Sequence, residues 1–213
     1  MMKIQNKFLE RKRLKILKFA KTIIADDGLT SDTFKKISNK YEININEINL
    51  LFPEGKNDFL KFILEQLNRD LEEYCKTIDL IRLPVHKRVR KILLSKIFIM
   101  NQEKKFYKKI FLSSLLPNRK PLFLSMLYKS VDQIWFIAGD ASVDFNFYTK
   151  RLILFGIYSR VILFFFNNDN HKDLETLLDL NLKRVSKIPE IKSKLKSFKY
   201  YLPNIVNLIK NSI

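Results

Sequence analysis

Apolar residues recur at intervals of three and four through most of this chain, which is the period of an amphipathic α-helix. No stretch shows the apolar–polar alternation with a tight turn that indicates a β-hairpin. Turn-forming glycine is scarce, with four residues in the whole sequence, Gly28, Gly55, Gly139 and Gly156. The pattern therefore predicts an all-α protein.

The same spacing and the capping residues set the expected helix boundaries. Gly28 and Gly139 stand where a helix end favours a left-handed residue. Asn44 can cap one helix, and either Ser31 or Asp32 can cap the helix before it. We expect helices at residues 8–26, 31–40, 45–51, 57–78, 85–101, 103–115, 120–138, 145–167 and 171–187, and a short terminal helix with Pro203 in its first turn.

The net charge of +18 changes the picture, because so basic a chain attracts nucleic acid or an anionic membrane surface. The chain is also rich in Lys, Asn, Ile and Phe together, which an AT-rich coding sequence produces without any selection for function. Charge alone therefore does not choose a partner. A single cysteine, Cys75, excludes an internal disulfide and indicates a reducing compartment. The polar N-terminus is unlike a secretory signal and is expected to begin the first helix.

Residues 16–60 resemble the TetR-type helix-turn-helix, in which the third helix enters the major groove of DNA. Between Tyr41 and Gly55 this chain has no Lys or Arg, and it has three acids, Glu42, Glu47 and Glu54. Glu42 stands where the turn of that motif usually has glycine. A groove-facing helix without cations forgoes the phosphate contacts that dominate affinity. We expect the fold without the DNA binding, and a TetR-type ligand-responsive transcriptional regulator is the alternative function.

Residues 131–158 read VDQIWFIAGDASVDFNFYTKRLILFGIY. This segment resembles the hallmark of the coenzyme Q (ubiquinone) biosynthesis lipid-binding family. The LFPEGKNDFLKF segment at 51–62 is a weaker match, and the likeness in layout covers about residues 12–187. The matching positions are Trp135, Ala138, Gly139, Asp140, Ser142, Asp144, Phe145, Asn146, Tyr148, Thr149, Lys150 and Arg151.

The resemblance implies a TetR-like helical homodimer without enzymatic activity, cofactor or bound nucleic acid. Residues 1–54 would be a degenerate helix-turn-helix-like region, residues 55–188 a lipid-binding and dimerisation region, and residues 189–213 a basic membrane-associating tail. Such a protein binds a polyprenyl quinone or other isoprenoid lipid and presents a quinone intermediate to a diiron demethoxyubiquinone hydroxylase. Its expected location is cytoplasmic, peripheral on a bacterial inner membrane, or the matrix side of the mitochondrial inner membrane in a eukaryote.

Asp144, Phe147, Tyr148 and Arg151 follow the i, i+3, i+4, i+7 spacing of one helical stripe. The resemblance implies that this stripe faces the hydroxylase, although the family often has Trp where this chain has Phe147. Asp144 at a helix start can equally serve as a cap. Treating Arg151 as a surface charge, we expect its reversal to glutamate to impair partner binding without unfolding the protein.

Lipid and membrane contacts are expected from two apolar segments. The apolar helix at 152–166 and the tryptophan before it supply a candidate lipid lining, although an ordinary core helix gives the same pattern. The lining residues are Trp135, Phe136, Leu154, Ile157, Val161 and Phe165. Lysines beside tyrosines and an amphipathic terminal helix suit an anionic bilayer, although this helix could instead dock on the protein itself. The membrane-binding residues are Lys192, Lys194, Lys196, Lys199, Tyr200, Tyr201, Ile205, Val206, Leu208 and Ile209.

The sequence offers no support for catalysis. His86 and His171 are far apart in the sequence, and neither belongs to a Glu-x-x-His pair, so neither suggests a metal site. The sparse glycines allow no phosphate-binding loop or nucleophile elbow.

Overall fold

A computed structural model of the chain describes residues 2–141 and 145–186. Over these residues the regular structure is helical throughout, which confirms the all-α prediction. A 3-10 turn at Pro117–Arg119 precedes the seventh helix. The α-helices are α1 (Met2–Asp27), α2 (Thr33–Tyr41), α3 (Ile45–Leu51), α4 (Lys56–Lys76), α5 (Val85–Asn101), α6 (Lys104–Ser114), α7 (Lys120–Ile137), α8 (Phe145–Asn167) and α9 (His171–Ser186).

The predicted boundaries agree closely with these helices. α3, α5 and α8 begin and end at the predicted residues, and most other ends lie within two residues of the prediction. The largest difference is α1, which begins at Met2 rather than Phe8. The predicted terminal helix after Pro203 lies outside the described residues.

The described residues divide into two compact units. The first contains the residues up to Asp70 together with Phe98–Phe123, and the second contains Leu71–Ile97 together with the described residues from Leu124 onward. The division at residues 54 and 188 that the sequence suggested stays a prediction.

In the first unit α1 packs against α2, α3 and α6. Its inward face carries Ile16, Ala20 and Ile24, all buried. The rings of Phe52 and Phe59 meet edge to face with 4.9 Å between centroids, and aromatic pairs in this geometry add to the burial energy. The Arg13 Nε donates a hydrogen bond of 2.9 Å to the Leu51 carbonyl and so ties α1 to the end of α3.

The caps of this head follow the sequence with one exception. Asn44 caps α3 by accepting a hydrogen bond from the Asn46 amide, as predicted. Glu42 has φ +53 at the end of α2, the left-handed conformation that glycine adopts at the usual turn. Asp32 precedes α2, but its side chain makes no capping hydrogen bond. Asp32 therefore occupies the predicted N-cap position without the side-chain bond, and in the turn before it the Thr33 hydroxyl accepts a hydrogen bond from the Thr30 amide.

In the second unit α9 packs against α8, with Leu174 and Leu178 buried. Arg90 of α5 pairs with both Glu175 and Asp179 of α9, at 2.9 Å and 2.5 Å. These two carboxylates raise the pKa of Arg90. A forked pairing of this kind orients the guanidinium and links α5 to α9.

Candidate functional site

The hallmark segment folds around the guanidinium of Arg151, on the second turn of α8. Its Nε donates to the Asp132 carboxylate at 2.5 Å, and its Nη1 donates to the Phe147 carbonyl at 3.2 Å and to the Asp140 carboxylate at 3.4 Å. The guanidinium also lies over the Phe147 ring, 3.2 Å from the centroid. Arg151 is 4% exposed, so this cation is enclosed by the groups that neutralise it.

The neighbouring Lys150 makes a second connection between the same two helices. Its ammonium pairs with Asp140 at 2.6 Å and lies 5.5 Å from the centre of the Trp135 ring. The Trp135 indole N–H donates to the Lys150 carbonyl at 3.2 Å. Asp140, with a side chain only 3% exposed, therefore receives two cations. We call this set the α7–α8 clamp, formed by Asp132, Trp135, Asp140, Lys150 and Arg151.

The chain reaches this geometry through the way α7 ends. Gly139 has φ +77, and its amide donates to the Phe136 carbonyl while the Asp140 amide donates to the Trp135 carbonyl. These two bonds form a Schellman motif, which satisfies carbonyls that the helix end would otherwise leave unpaired. Arg88 adds a hydrogen bond from its Nη1 to the Ala138 carbonyl at 3.1 Å. The turn thus places Asp140 where the first turns of α8 can reach it.

The prediction that Arg151 is a surface charge is wrong. Arg151 points towards the carboxylates of α7 and the turn that follows it, a pairing that the stripe of positions on α8 alone cannot reveal. Of the other members of the predicted stripe, Phe147 is half-buried beneath the guanidinium and Tyr148 is 47% exposed. Asp144 lies outside the described residues. The partner-binding role of this stripe stays a prediction.

Sequence reasoning missed Asp132 and Tyr128. Burial raises the pKa of Tyr128. The nearby charge of Arg151 lowers that pKa, while Asp132 and the Tyr148 hydroxyl raise it, so Tyr128 lies close to these three groups. The available signal for Asp132 was that it is the single acid of α7. Its partner is 19 positions along the chain, and no helical spacing relates the two.

The six predicted lipid-lining residues lie in three different environments. Leu154, Ile157, Val161 and Phe165 form one buried face of α8. Phe136, in contrast, is 74% exposed and lies on the outer side of α7. Trp135 is partly buried and belongs to the clamp. Whether any of the six contacts a lipid stays a prediction, and the predicted membrane-binding residues of the tail lie outside the described residues.

A buried lysine is a second feature that the sequence did not indicate. Lys96 of α5 has no exposed surface, its ammonium donates to the Ser130 hydroxyl at 2.9 Å, and it lies 5.3 Å from the centre of the Tyr158 ring. Burial lowers the pKa of Lys96 to about 7. Cys75 is buried, and burial raises its pKa to about 11, which is the behaviour of an unreactive thiol.

Neither a metal centre nor a membrane span is found among the described residues. No group of three His, Cys, Asp or Glu side chains there could hold a metal ion. None of the helices within residues 2–141 and 145–186 combines the length and the apolarity needed to cross a bilayer.

Over the described residues, fold and site together define an all-α protein in which an ion-paired clamp joins α7 to α8. Residues 121–189 match the COQ9 family model, and this range contains the whole clamp. This part of the chain is therefore similar to the COQ9 family, whose curated members below are named as ubiquinone biosynthesis proteins.

Three curated relatives illustrate the extent of the similarity. The mitochondrial ubiquinone biosynthesis protein COQ9 of Rattus norvegicus is 28% identical over 151 residues, 68% of this chain and 48% of that protein. The Xenopus tropicalis protein of the same name is 26% identical over 183 residues, 83% of this chain and 57% of that protein. Xenopus laevis COQ9-A is 39% identical over 72 residues, 34% of this chain and 22% of that protein. The chain spans about half the length of the curated relatives it matches.

Proposed function

We propose that this chain is a non-enzymatic accessory protein of ubiquinone biosynthesis. It binds a polyprenylated quinone intermediate at the membrane, as a homodimer, and presents it to a diiron demethoxyubiquinone hydroxylase. The observation that carries the proposal is the COQ9 match at residues 121–189, which coincides with the clamp and with the aromatic pair on the first turn of α8.

The exposed side chains near the clamp support a partner-binding role. Tyr148 and Leu152 on α8 are 47% and 67% exposed, and Phe136 on α7 is 74% exposed. Exposed aromatic and large apolar side chains held by a rigid framework are the usual anchors of protein interfaces. We infer that Tyr148 contacts the hydroxylase directly, whereas Arg151 holds Phe147 and the start of α8 in place.

The buried face of α8 supports the lipid-binding part of the proposal. Isoprenoid tails need an apolar lining with few polar groups, and this face offers Leu154, Ile157 and Val161. Native mass spectrometry with lipid extraction of the protein purified from its host tests this step. A copurified polyprenyl quinone or precursor is the expected result. A folded protein without such a lipid would remove the carrier role and leave a docking scaffold.

Binding to the hydroxylase from the same organism tests the partner role. Tyr148→Ala is expected to weaken the complex at least tenfold, which is the effect of removing an interface anchor. Leu163→Ala is the matched control, since Leu163 is 49% exposed on the same helix, four turns further along. Equal affinities for the two variants would contradict a docking role for Tyr148.

The helix order of the head leaves DNA binding as the rival function to be tested. Within the described residues α3 carries no cation, and its Glu47 pairs with Lys12 of α1 at 2.6 Å. A salt-sensitive, sequence-specific mobility shift would favour the regulator over the accessory protein. Turnover of a quinone precursor by the purified chain alone would contradict the non-enzymatic role.

A further inference from the structure

The outward face of α1 carries a stripe of cations. Lys7, Arg11, Lys15 and Lys18 follow one another at intervals of four, four and three residues, which places them on one face of the helix. All four are exposed, while the opposite face packs Ile16, Ala20 and Ile24 into the core of the first unit. We call these four residues the α1 basic stripe.

The charges of the α1 basic stripe are not neutralised by ion pairs among the described residues, in contrast to two lysines beside it. Lys12 pairs with Glu47 and Lys21 pairs with Glu103, each at 2.6 Å. No member of the stripe forms an ion pair with a carboxylate within residues 2–141 and 145–186. Four neighbouring charges of one sign that form no ion pair within the described part of the chain create a surface potential that attracts a polyanion.

Apolar side chains are interleaved with these cations. Phe8, 56% exposed, lies two turns before Lys15 on the same side of the helix, and Leu14, 37% exposed, lies one turn after Arg11. Cations mixed with exposed apolar groups are the composition of helices that lie in a membrane interface, where the charges meet headgroups and the apolar groups enter the acyl boundary. A nucleic acid backbone offers nothing to Phe8 or Leu14.

We infer that the α1 basic stripe docks on a bilayer surface rich in anionic phospholipid, as a contact separate from the C-terminal tail. The inference extends the proposed membrane association, on which it rests, by assigning a lipid-facing surface to the helix-turn-helix-like head. It also assigns a binding role to α1 in a head whose third helix lacks the cations needed to contact DNA phosphates.

Cosedimentation of the full chain with vesicles tests the inference, using phosphatidylcholine vesicles with and without phosphatidylglycerol. Replacing the four stripe residues together by glutamine is expected to lower the affinity for the phosphatidylglycerol vesicles about a thousandfold, because each cation near an anionic surface contributes independently. Affinity of the unaltered chain is expected to fall as salt is raised, since the ions screen the attraction.

The matched control replaces Lys35, Lys40, Lys105 and Lys120 by glutamine, which removes the same charge from exposed positions elsewhere in the first unit. This variant is expected to bind nearly as well as the unaltered chain. Equal losses in the two variants would show that net charge acts rather than the stripe, and would overturn the inference. A paired Phe8→Ser, Leu14→Ser variant should weaken vesicle binding and leave heparin binding unchanged, whereas equal loss of both would indicate a general polyanion site.

A tail variant separates this inference from the proposed function. Replacing Lys192, Lys194, Lys196 and Lys199 by glutamine removes the predicted tail contact. If this variant loses vesicle binding and the stripe variant keeps it, the stripe inference is overturned and the membrane association stands. If the unaltered chain does not bind phosphatidylglycerol vesicles, both the stripe inference and the proposed membrane association are contradicted. Stripe-dependent binding to duplex DNA in place of vesicles would overturn the stripe inference in favour of a nucleic acid partner.

Discussion

Arg151→Glu is the substitution that most directly tests the clamp. It removes the guanidinium that joins Asp132, Asp140 and the Phe147 carbonyl, and it places a third carboxylate beside two that are already there. The new side chain also loses the stacking on the Phe147 ring. We therefore expect loss of stability as well as any loss of partner binding.

The structure sets the size of the effect. Asp132 has a side chain that is 47% exposed, so water can solvate it when its partner is removed and the cost there is small. Asp140 is 3% exposed and keeps Lys150 as a second cation. Breaking a buried ion pair costs about 3–5 kcal/mol, and the remaining lysine places this case at about 3 kcal/mol. If the chain unfolds as one unit, about 3 kcal/mol lowers the melting temperature by about 6–12 °C.

Chemical denaturation followed by circular dichroism measures this loss. Arg160→Glu is the control, because Arg160 is exposed on the same helix and its reversal is expected to change stability by no more than about 0.5 kcal/mol. Hydrogen exchange at the amides of α7 and α8 localises the effect, since opening of the clamp should raise exchange there before the first unit responds.

An Arg151→Glu protein with an unchanged denaturation midpoint and unchanged exchange would refute the reasoning. Loss of hydroxylase binding in that same stable variant would return Arg151 to the surface role that its position on the helical stripe suggested. Arg151→Lys gives a finer measure, because lysine keeps the charge and loses the fork that reaches three acceptors. We expect an intermediate stability for it.

Four further substitutions test other parts of the structure. Lys96→Met should raise the free energy of unfolding by about 1–4 kcal/mol at neutral pH. The pKa of Lys96 is about 7 in the folded chain and 10.5 as its ordinary value, so the stability of the unaltered chain should rise with pH between these two values. The variant should lack this rise, and urea unfolding at several pH values measures the difference. Gly139→Ala should lower the free energy of unfolding by about 1–2 kcal/mol in thermal melts, because φ is +77 and the new Cβ would lie 3.0 Å from Arg88 Nη1. Gly156→Ala should instead raise it by about 0.5–1 kcal/mol, because Gly156 lies within α8 with open space around it. Glu42→Gly should stabilise by about 0.5–1 kcal/mol by relieving a left-handed glutamate, and a lower melting temperature would mean that its side chain has a role of its own.

The helices could be predicted because their information is local. The period of apolar residues, the glycine at position 139 and the cap at Asn44 each act within one or two turns of the chain, and the structure places α3, α5 and α8 at the predicted boundaries. Glu42 shows the same locality, since it stands where the motif usually has glycine and the structure has φ +53 there. Propensity and pattern agree at these points, which is why sequence alone sufficed.

The environment of individual side chains could not be predicted in this way. Arg151 and Phe147 share a stripe with Tyr148 in the helical pattern, but the partners of Arg151 lie 19 and 11 positions away, beyond the turn that joins α7 to α8. Lys96 is similar, because its pairing with Ser130 of α7 spans 34 positions. A period of 3.6 tells which residues share a face, and it does not tell what covers that face.

The α7–α8 clamp separates two ways in which a residue of the predicted stripe could affect partner binding. A side chain can affect docking by touching the partner or by holding the residue that touches it. Under the proposed docking role, the exposures of Tyr148 and Arg151, 47% and 4%, predict contact for the first and positioning for the second. The two roles differ in an observable way. Loss at Tyr148 should change affinity without changing stability, because an exposed ring contributes little to the fold. Loss at Arg151 should change both together, because the ion pairs that position Phe147 also join α7 to α8. Affinity and stability measured on the same two variants therefore separate contact from positioning, which loss of binding alone cannot do.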